Sequence, residues 1–140
     1  MKPMDGVEVK ELKVHQDNRG WLFEVLRKEW IKDSKEKEFG QMLLTTSYPG
    51  QVKGNHYHKR KIEWFCVLKG RMDMVLKDLE TNEIKEVVMD GDKPVIVRIP
   101  PNVAHGYKSV GKDICFLLVY CNESFDPNDA DTIPYEVVKP

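Results

Sequence analysis

No apolar run in this chain is long enough to cross a bilayer. The longest, "ICFLLVYC" at 114–121, falls far short of the roughly 20 residues that a spanning helix needs. The opening "MKPMDGVEVK" also lacks the apolar core of a signal peptide. Together these absences predict a soluble, cytoplasmic protein with no membrane partner. Basic residues are not in excess. The 22 Lys and Arg stand against 23 Asp and Glu, a net charge of −1, so no overall field draws the chain to nucleic acid. Cysteine is scarce: Cys66, Cys115 and Cys121 are odd in number, and no pair has CxxC spacing. Each lies in an apolar run, which predicts reduced, buried thiols and not a disulfide framework. There is no Gly-rich dinucleotide loop, no internal repeat and no low-complexity linker.

What is present is globular. The chain has 140 residues, 41% apolar and 32% charged, which suits one domain over 1–140 with a real core. Most of it reads as short strands. "VEVKELKV" (7–14) and "RMDMVLK" (71–77) alternate apolar and polar residues. "WLFEVLR" (21–27), "QMLLTTS" (41–47), "EWFCVLKG" (63–70), "IKEVVM" (84–89), "PVIVRI" (94–99) and "ICFLLVYC" are further strands, and "DLETNE" (78–83) is a hairpin tip. Nine or ten strands punctuated by Gly, Pro, Asn and Asp predict an all-β sandwich or barrel. The exception is "KEWIKDSKEKEF" (28–39), a charged connector or a short helix. Trp21, Trp64, Phe65, Phe116, Met72 and Met74 are expected in the core, and the Pro- and Asp-rich tail "FDPNDADTIPYEVVKP" around the outside. Arg98, a cation inside an apolar strand, needs a carboxylate such as Glu63, or a phosphate.

The chemistry concentrates in "GNHYHKRKIEWFCVLKG" (54–70). His56 and His58 share a face if this stretch is extended. Glu63 joins them only if the chain turns between, and "KRK" (59–61) is the place for that turn. His105 follows a Pro-Pro-Asn turn and enters a strand that can return beside them, whereas His15 is a surface or turn residue without a role. Three imidazoles and a carboxylate suit zinc, with iron, manganese or nickel as alternatives. Such a metal would be a Lewis acid for a substrate carbonyl.

The spacing Gly50-x5-His56-x-His58-x4-Glu63-x6-Gly70 resembles the first cupin motif at every position. Pro100-Pro101-Asn102-Val103-Ala104-His105 resembles the second, with Asn102 where that family usually has glycine. The resemblance implies a double-stranded β-helix, or jelly roll, with His56, His58, Glu63 and His105 as metal ligands. "DNRGWLFEV" (17–25) and "FGQ" (39–41), ahead of "GQVKGNHYH", resemble the nucleotide-sugar 3,5-epimerases of the dTDP-rhamnose pathway. That likeness implies substrate contacts at Arg19, Glu24, Gln41 and Lys53, a catalytic base at His56, and an acid near Tyr120, which is one residue out of register. A closer resemblance runs from about 8 to 137 through "GNHYHKRKIEWFCVLKG", "IPPNVAHGYKSVG" and "SFDPNDADT". It is to the C-terminal cupin domain of bifunctional capsule enzymes that make UDP-N-acetyl-L-fucosamine precursors. It implies zinc, epimerisation at C3 of a UDP-4-keto-6-deoxyhexose, and a separate reductase as possible partner. GNH-x-HK also resembles the dTDP-4-keto-6-deoxyglucose 3,4-ketoisomerases. Related cupins pair through N-terminal strands, which implies a homodimer.

Two roles for His56 stay open. A metal-bound imidazole has its lone pair engaged and cannot also take a proton. With four ligands bound, the base comes from Lys61, Lys53, Tyr57 or Tyr120; without metal, His56 is the base and Tyr120 the acid. A cupin that binds metal without sugar chemistry, as a sensor or an oxygenase, is the alternative class. It gives Arg19, Glu24, Gln41 and Lys53 no reason to share a pocket with the histidines.

Overall fold

Strands that alternate in polarity bury one face each, and here two sets of them close on one another. The structure, a computed structural model, describes Met4, residues 6–31 and residues 39–140. In chain order the elements are β1 (Glu8–Glu11), β2 (His15–Asp17), β3 (Gly20–Leu22), a 3-10 turn (Lys28–Trp30), β4 (Gln41–Ser47), β5 (Val52–Tyr57), β6 (Glu63–Lys69), β7 (Arg71–Asp78), β8 (Ile84–Asp90), β9 (Val95–Ile99), β10 (Val103–Ser109), β11 (Cys115–Cys121) and β12 (Ile133–Pro134). One antiparallel sheet has the order β1-β9-β6-β11-β4 and faces a second of order β12-β5-β10-β7-β8, while β2 and β3 form a separate hairpin. This is the expected all-β cupin jelly roll.

The main core lies between the two sheets. Phe65, Val67, Val97, Ile99, Leu117 and Val119 of the first meet Met72, Met74, Leu76, Met89, Val103 and Tyr107 of the second. The opposite face of the first sheet carries a second apolar layer. Trp64, Cys66, Ile96 and Tyr120 are covered there by Leu12, Phe23, Val25, Leu26, Trp30 and Ile31. All three cysteines are free and buried, as expected.

Several sequence expectations give way. The strand predicted over 21–27 ends at Leu22, because Phe23, Val25 and Leu26 pack onto the outer face of the first sheet instead of joining a ladder. Trp21 is 58% exposed and stacks on Phe23, so it is not core. Phe116 is only half-buried. The charged segment 28–39 contributes one 3-10 turn at Lys28–Trp30, and 32–38 lies outside the described residues. Twelve strands are present among the described residues, because β2, β3 and β12 are too short for a periodicity to mark them. Arg98 turns away from Glu63: its guanidinium donates to the Gly6 carbonyl and lies 3.8 Å from Glu8.

The tail is tied to β5 by the short β12 ladder and by one side chain. Asn55 accepts from the backbone N–H groups of Val137 and Val138 at 3.0 Å each, and donates to the Val138 carbonyl at 2.8 Å. Its φ of 58° is left-handed, a conformation that asparagine tolerates and β-carbon-bearing apolar residues resist. Gly106 on β10 leaves it room, since a Cβ there would sit 2.3 Å from Asn55 Oδ1. We expect Asn55→Ala to lose about 3 kcal/mol of stability, from three hydrogen bonds and a strained backbone, measured by urea unfolding.

Candidate metal centre

The site sits where the chain crosses from the second sheet to the first. Asn55 is an extra residue in the β5–β10 ladder, which pairs His56 with His105 and then Gly54 with Gly106. Such a bulge re-aims the side chains beside it. It places His56 on the inner face together with Lys53, three residues earlier. The chain then bends at 59–60 and β6 begins at Glu63. The predicted turn at "KRK" is therefore real, and it brings Glu63 back to the histidines.

His56, His58, Glu63 and His105 present ligand atoms that all lie within 4.8 Å of one another. The His56 ring is 5.1 Å from that of His58 and 4.8 Å from that of His105, centre to centre. His58, Glu63 and His105 are buried and His56 is half-buried.

Hydrogen bonds decide which ring nitrogens carry protons. His58 Nδ1 lies 2.6 Å from the Asp131 carbonyl, and His105 Nδ1 lies 3.0 Å from the Val103 carbonyl. A carbonyl only accepts, so both Nδ1 atoms donate. Each Nε2 of a neutral ring then offers a lone pair. His58 Nε2 is 2.8 Å and His105 Nε2 3.1 Å from the same Glu63 oxygen, Oε1, which is itself an acceptor. His105 Nε2 is fully buried and makes no well-aligned hydrogen bond. Two lone pairs and a carboxylate converging on one point need a cation there, either a proton on an imidazole or a metal. The donor set of three imidazoles and a carboxylate fits a divalent metal such as zinc.

The electrostatics agree. Burial penalises ionisation of Glu63, yet His105 and His58 hold its carboxyl well below the usual range. Burial also works against protonation of His58, but Glu63 outweighs it and raises the imidazole above its ordinary 6.5. Burial, with His105 and His58 alongside, pushes His56 down to about 4, so its imidazole is neutral at physiological pH.

The remaining candidates separate by face. Gln41 is opposite Cys121 on β11, which is opposite Glu63 on β6, so the three form one row across the sheet. Lys53 reaches across to the first sheet, donating to Thr45 Oγ1 at 3.0 Å and to the Thr46 carbonyl at 2.6 Å. Arg19 and Glu24 do not join the cluster within one chain. Arg19 is in the exposed β2–β3 hairpin, paired to Asp17 at 2.6 Å, and Glu24 pairs with Arg27 at 3.3 Å. Lys61 is buried beside the turn, with Nζ donating to the Ala130 carbonyl at 3.0 Å.

Tyr120 is corrected. Neighbouring residues on β11 alternate faces, and Tyr120 packs on Trp64 in the outer layer, whereas Val119 and Cys121 point inward. Its phenol is on the wrong side of the sheet to act at the histidines. Tyr120→Phe is accordingly expected to leave turnover within about threefold of wild type, whereas loss of a general acid costs about 10²- to 10⁴-fold.

Three residues were missed. Cys121, read as inert core, has its thiol 3.4 Å from Glu63 Oε2, and burial pushes it up to about 12, so it stays a donor. Tyr107 is two residues beyond His105 on the same inner face, and burial pushes its phenol up to about 12. Asp131, in the acidic tail, holds the turn after His58. The inward period of β10 and β11 would have exposed the first two; nothing in the tail marks the third.

Relatives are evident. The family of polysaccharide biosynthesis C-terminal domains matches residues 15–133. The spore coat polysaccharide biosynthesis protein SpsL of Bacillus subtilis is 32% identical over 140 residues, covering 95% of this chain and 91% of SpsL. The probable low-salt glycan biosynthesis epimerase Agl13 of Haloferax volcanii is 32% identical over 144 residues, covering 97% and 91%. A UDP-2-acetamido-2,6-beta-L-arabino-hexul-4-ose reductase of Pseudomonas aeruginosa is 32% identical over 122 residues, covering 87% of this chain but 31% of the reductase.

Proposed function

This chain belongs to the family of polysaccharide biosynthesis C-terminal domains, and on that premise we propose that the inner histidine cluster is its active site. The protein is an isomerase-class enzyme, an epimerase of nucleotide-linked sugars in polysaccharide or glycan precursor synthesis. The finer reading is abstraction of the C3 proton of a UDP- or dTDP-4-keto-6-deoxyhexose. The observation that carries it is the convergence of the His58 and His105 lone pairs on Glu63, a place built for a cation beside which a ketone can be polarised.

The ketone at C4 makes the C3–H bond acidic. Removing that proton leaves an enolate with its charge on the C4 oxygen, and returning a proton to the opposite face inverts C3. In this reading His56, His58, Glu63 and His105 would hold zinc, which would supply positive charge beside the C4 oxygen. Lys61 takes the proton in this reading, because it is the buried candidate beside the turn. Tyr57 meets Tyr135 edge-on at 6.3 Å between ring centres, Lys53 is exposed and engaged with β4, and Tyr120 faces away. Tyr107 replaces Tyr120 as the inner phenol. A second reading rests on His56, which is the least buried member and neutral at physiological pH, and so suits a base in a metal-free site.

A homodimer suits the outer surface. Trp21 and Leu22 on the hairpin, and Met42 and Leu44 on the edge strand β4, are each more than half exposed. The chain spans about a third of the length of the reductase that it resembles. A separate reductase acting next on the product, in the cytoplasm, is part of the same proposal.

Solvent exchange tests the function. The protein is incubated in D2O with UDP- and dTDP-linked 4-keto-6-deoxyhexoses, with and without a chelator, and C3 and C5 are followed by NMR. Chelator-sensitive exchange at C3 with an inverted product is expected. A product with the ketone moved to C3 would mean a ketoisomerase. Exchange that survives complete metal removal would return the base role to His56, and no exchange at all would sink the sugar reading.

A further inference from the structure

We propose that Asp131 is a positioning residue that sets the tautomer and aim of His58, an inference that rests on the metal reading above. The backbone N–H groups of Lys59, Arg60 and Lys61 are consecutive and point at one carboxylate. Asp131 Oδ1 accepts from Lys59 at 2.9 Å, and Oδ2 accepts from Arg60 at 2.9 Å and Lys61 at 3.0 Å. Successive N–H groups make a concavity for an anion, and here the chain fills it with its own tail. The same residue turns its carbonyl onto His58 Nδ1 at 2.6 Å. Asp131 has φ 49°, left-handed, and in that conformation it directs both groups at one loop.

The contrast with His105 shows what this does. His105 Nδ1 is held by Val103 on its own strand, two residues away, so β10 alone sets that ring. His58 is held from 73 residues away in sequence, by a tail that also takes Lys61 Nζ on Ala130 and Arg60 on Glu123 and Asp129. Keeping the proton on Nδ1 leaves the Nε2 lone pair facing Glu63 and its ring partners. Asp131 thereby does for His58 what a strand does for His105.

Asp131→Asn tests this. Asparagine keeps the backbone carbonyl and tolerates the left-handed conformation, but its NH2 faces N–H donors that need acceptors. Zinc affinity, measured by competition with a chromophoric chelator, is expected to fall about 10- to 100-fold, the usual effect of losing a ligand's supporting partner. Cobalt-loaded protein should show shifted visible bands. Nitrogen-15 imidazole spectra of the metal-free protein should show His58 as the Nδ1–H tautomer in wild type and as a mixture in the variant. Asp129→Asn, which removes only an exposed partner of Arg60, should keep the affinity within about twofold. Unchanged zinc affinity and an unchanged His58 tautomer in Asp131→Asn would overturn the proposal. If that variant does not fold, amide exchange in wild type decides: slow exchange at all three of Lys59, Arg60 and Lys61 supports the clamp, and exchange at open-loop rates overturns it. A wild type that binds no zinc overturns the metal reading itself, and the tautomer comparison, which needs no metal, still judges Asp131.

Discussion

Glu63→Gln is expected to abolish the gain in stability that zinc gives the wild type, while at alkaline pH the metal-free variant is at least as stable as the metal-free wild type. Glutamine keeps an acceptor for the Cys121 thiol and replaces the other carboxylate oxygen by an NH2 group. That group can donate to both His58 Nε2 and His105 Nε2, which now face an acceptor. The metal-free site is relieved, but its one anionic ligand is gone. Loss of a mere supporting partner weakens metal binding about 10- to 100-fold, so loss of this ligand should exceed about 100-fold. At a zinc concentration 100 times the wild-type dissociation constant, the wild type gains about 2.7 kcal/mol and the variant little. The sign reverses in acid. Glu63 raises His58 above its ordinary 6.5, so the imidazolium–carboxylate pair stabilises the metal-free wild type fully below about 6.5 and is lost as pH rises through the raised value. Below that point Glu63→Gln is the less stable protein. Thermal melts at two pH values, each with zinc and with chelator, measure all four arms. Equal zinc stabilisation of both proteins would sink the metal reading.

The sheets were legible because β7 alternates apolar and polar residues and the other main strands are short runs closed by Gly, Pro, Asn or Asp. What periodicity cannot show is which layer a strand face meets. Trp21 and Trp64 look alike in sequence, yet one lies on an exposed hairpin and the other under the N-terminal segment. The stretch 23–27 alternates like a strand but spends its apolar residues on the back of the first sheet.

The four cluster residues were legible because their spacing demands a turn at 59–61, and the turn is there. The rest depended on contacts between distant segments. A one-residue offset was enough to misplace Tyr120, because in a strand it means the opposite face. Cys121, the neighbour that does face Glu63, gave no sign of it in an apolar run. Asp131 acts through its carboxylate and its backbone carbonyl at once, and no composition rule separates such a residue from a solvated acidic tail.

The proposed role of Lys61 as the base has a direct test. Lys61 is buried beside the turn that joins His58 to Glu63, with Nζ on the Ala130 carbonyl, whereas Lys53 is exposed and engaged with β4. Lys61→Met keeps the apolar stem and removes the amine. If Lys61 is the base, C3 exchange should fall about 10²- to 10⁴-fold, the range for general-base removal, with zinc affinity within about threefold of wild type. An added small alkylamine should restore part of the exchange in Lys61→Ala, where the lost side chain leaves it room. A purely structural lysine predicts otherwise, because the hydrogen bond to Ala130 is worth about 1 kcal/mol in stability and nothing specific in rate. A lowered melting temperature with turnover intact, and no response to amine, would therefore leave His56 as the proton acceptor. It would also remove His56 from the ligand set, since one lone pair cannot serve both the metal and the proton.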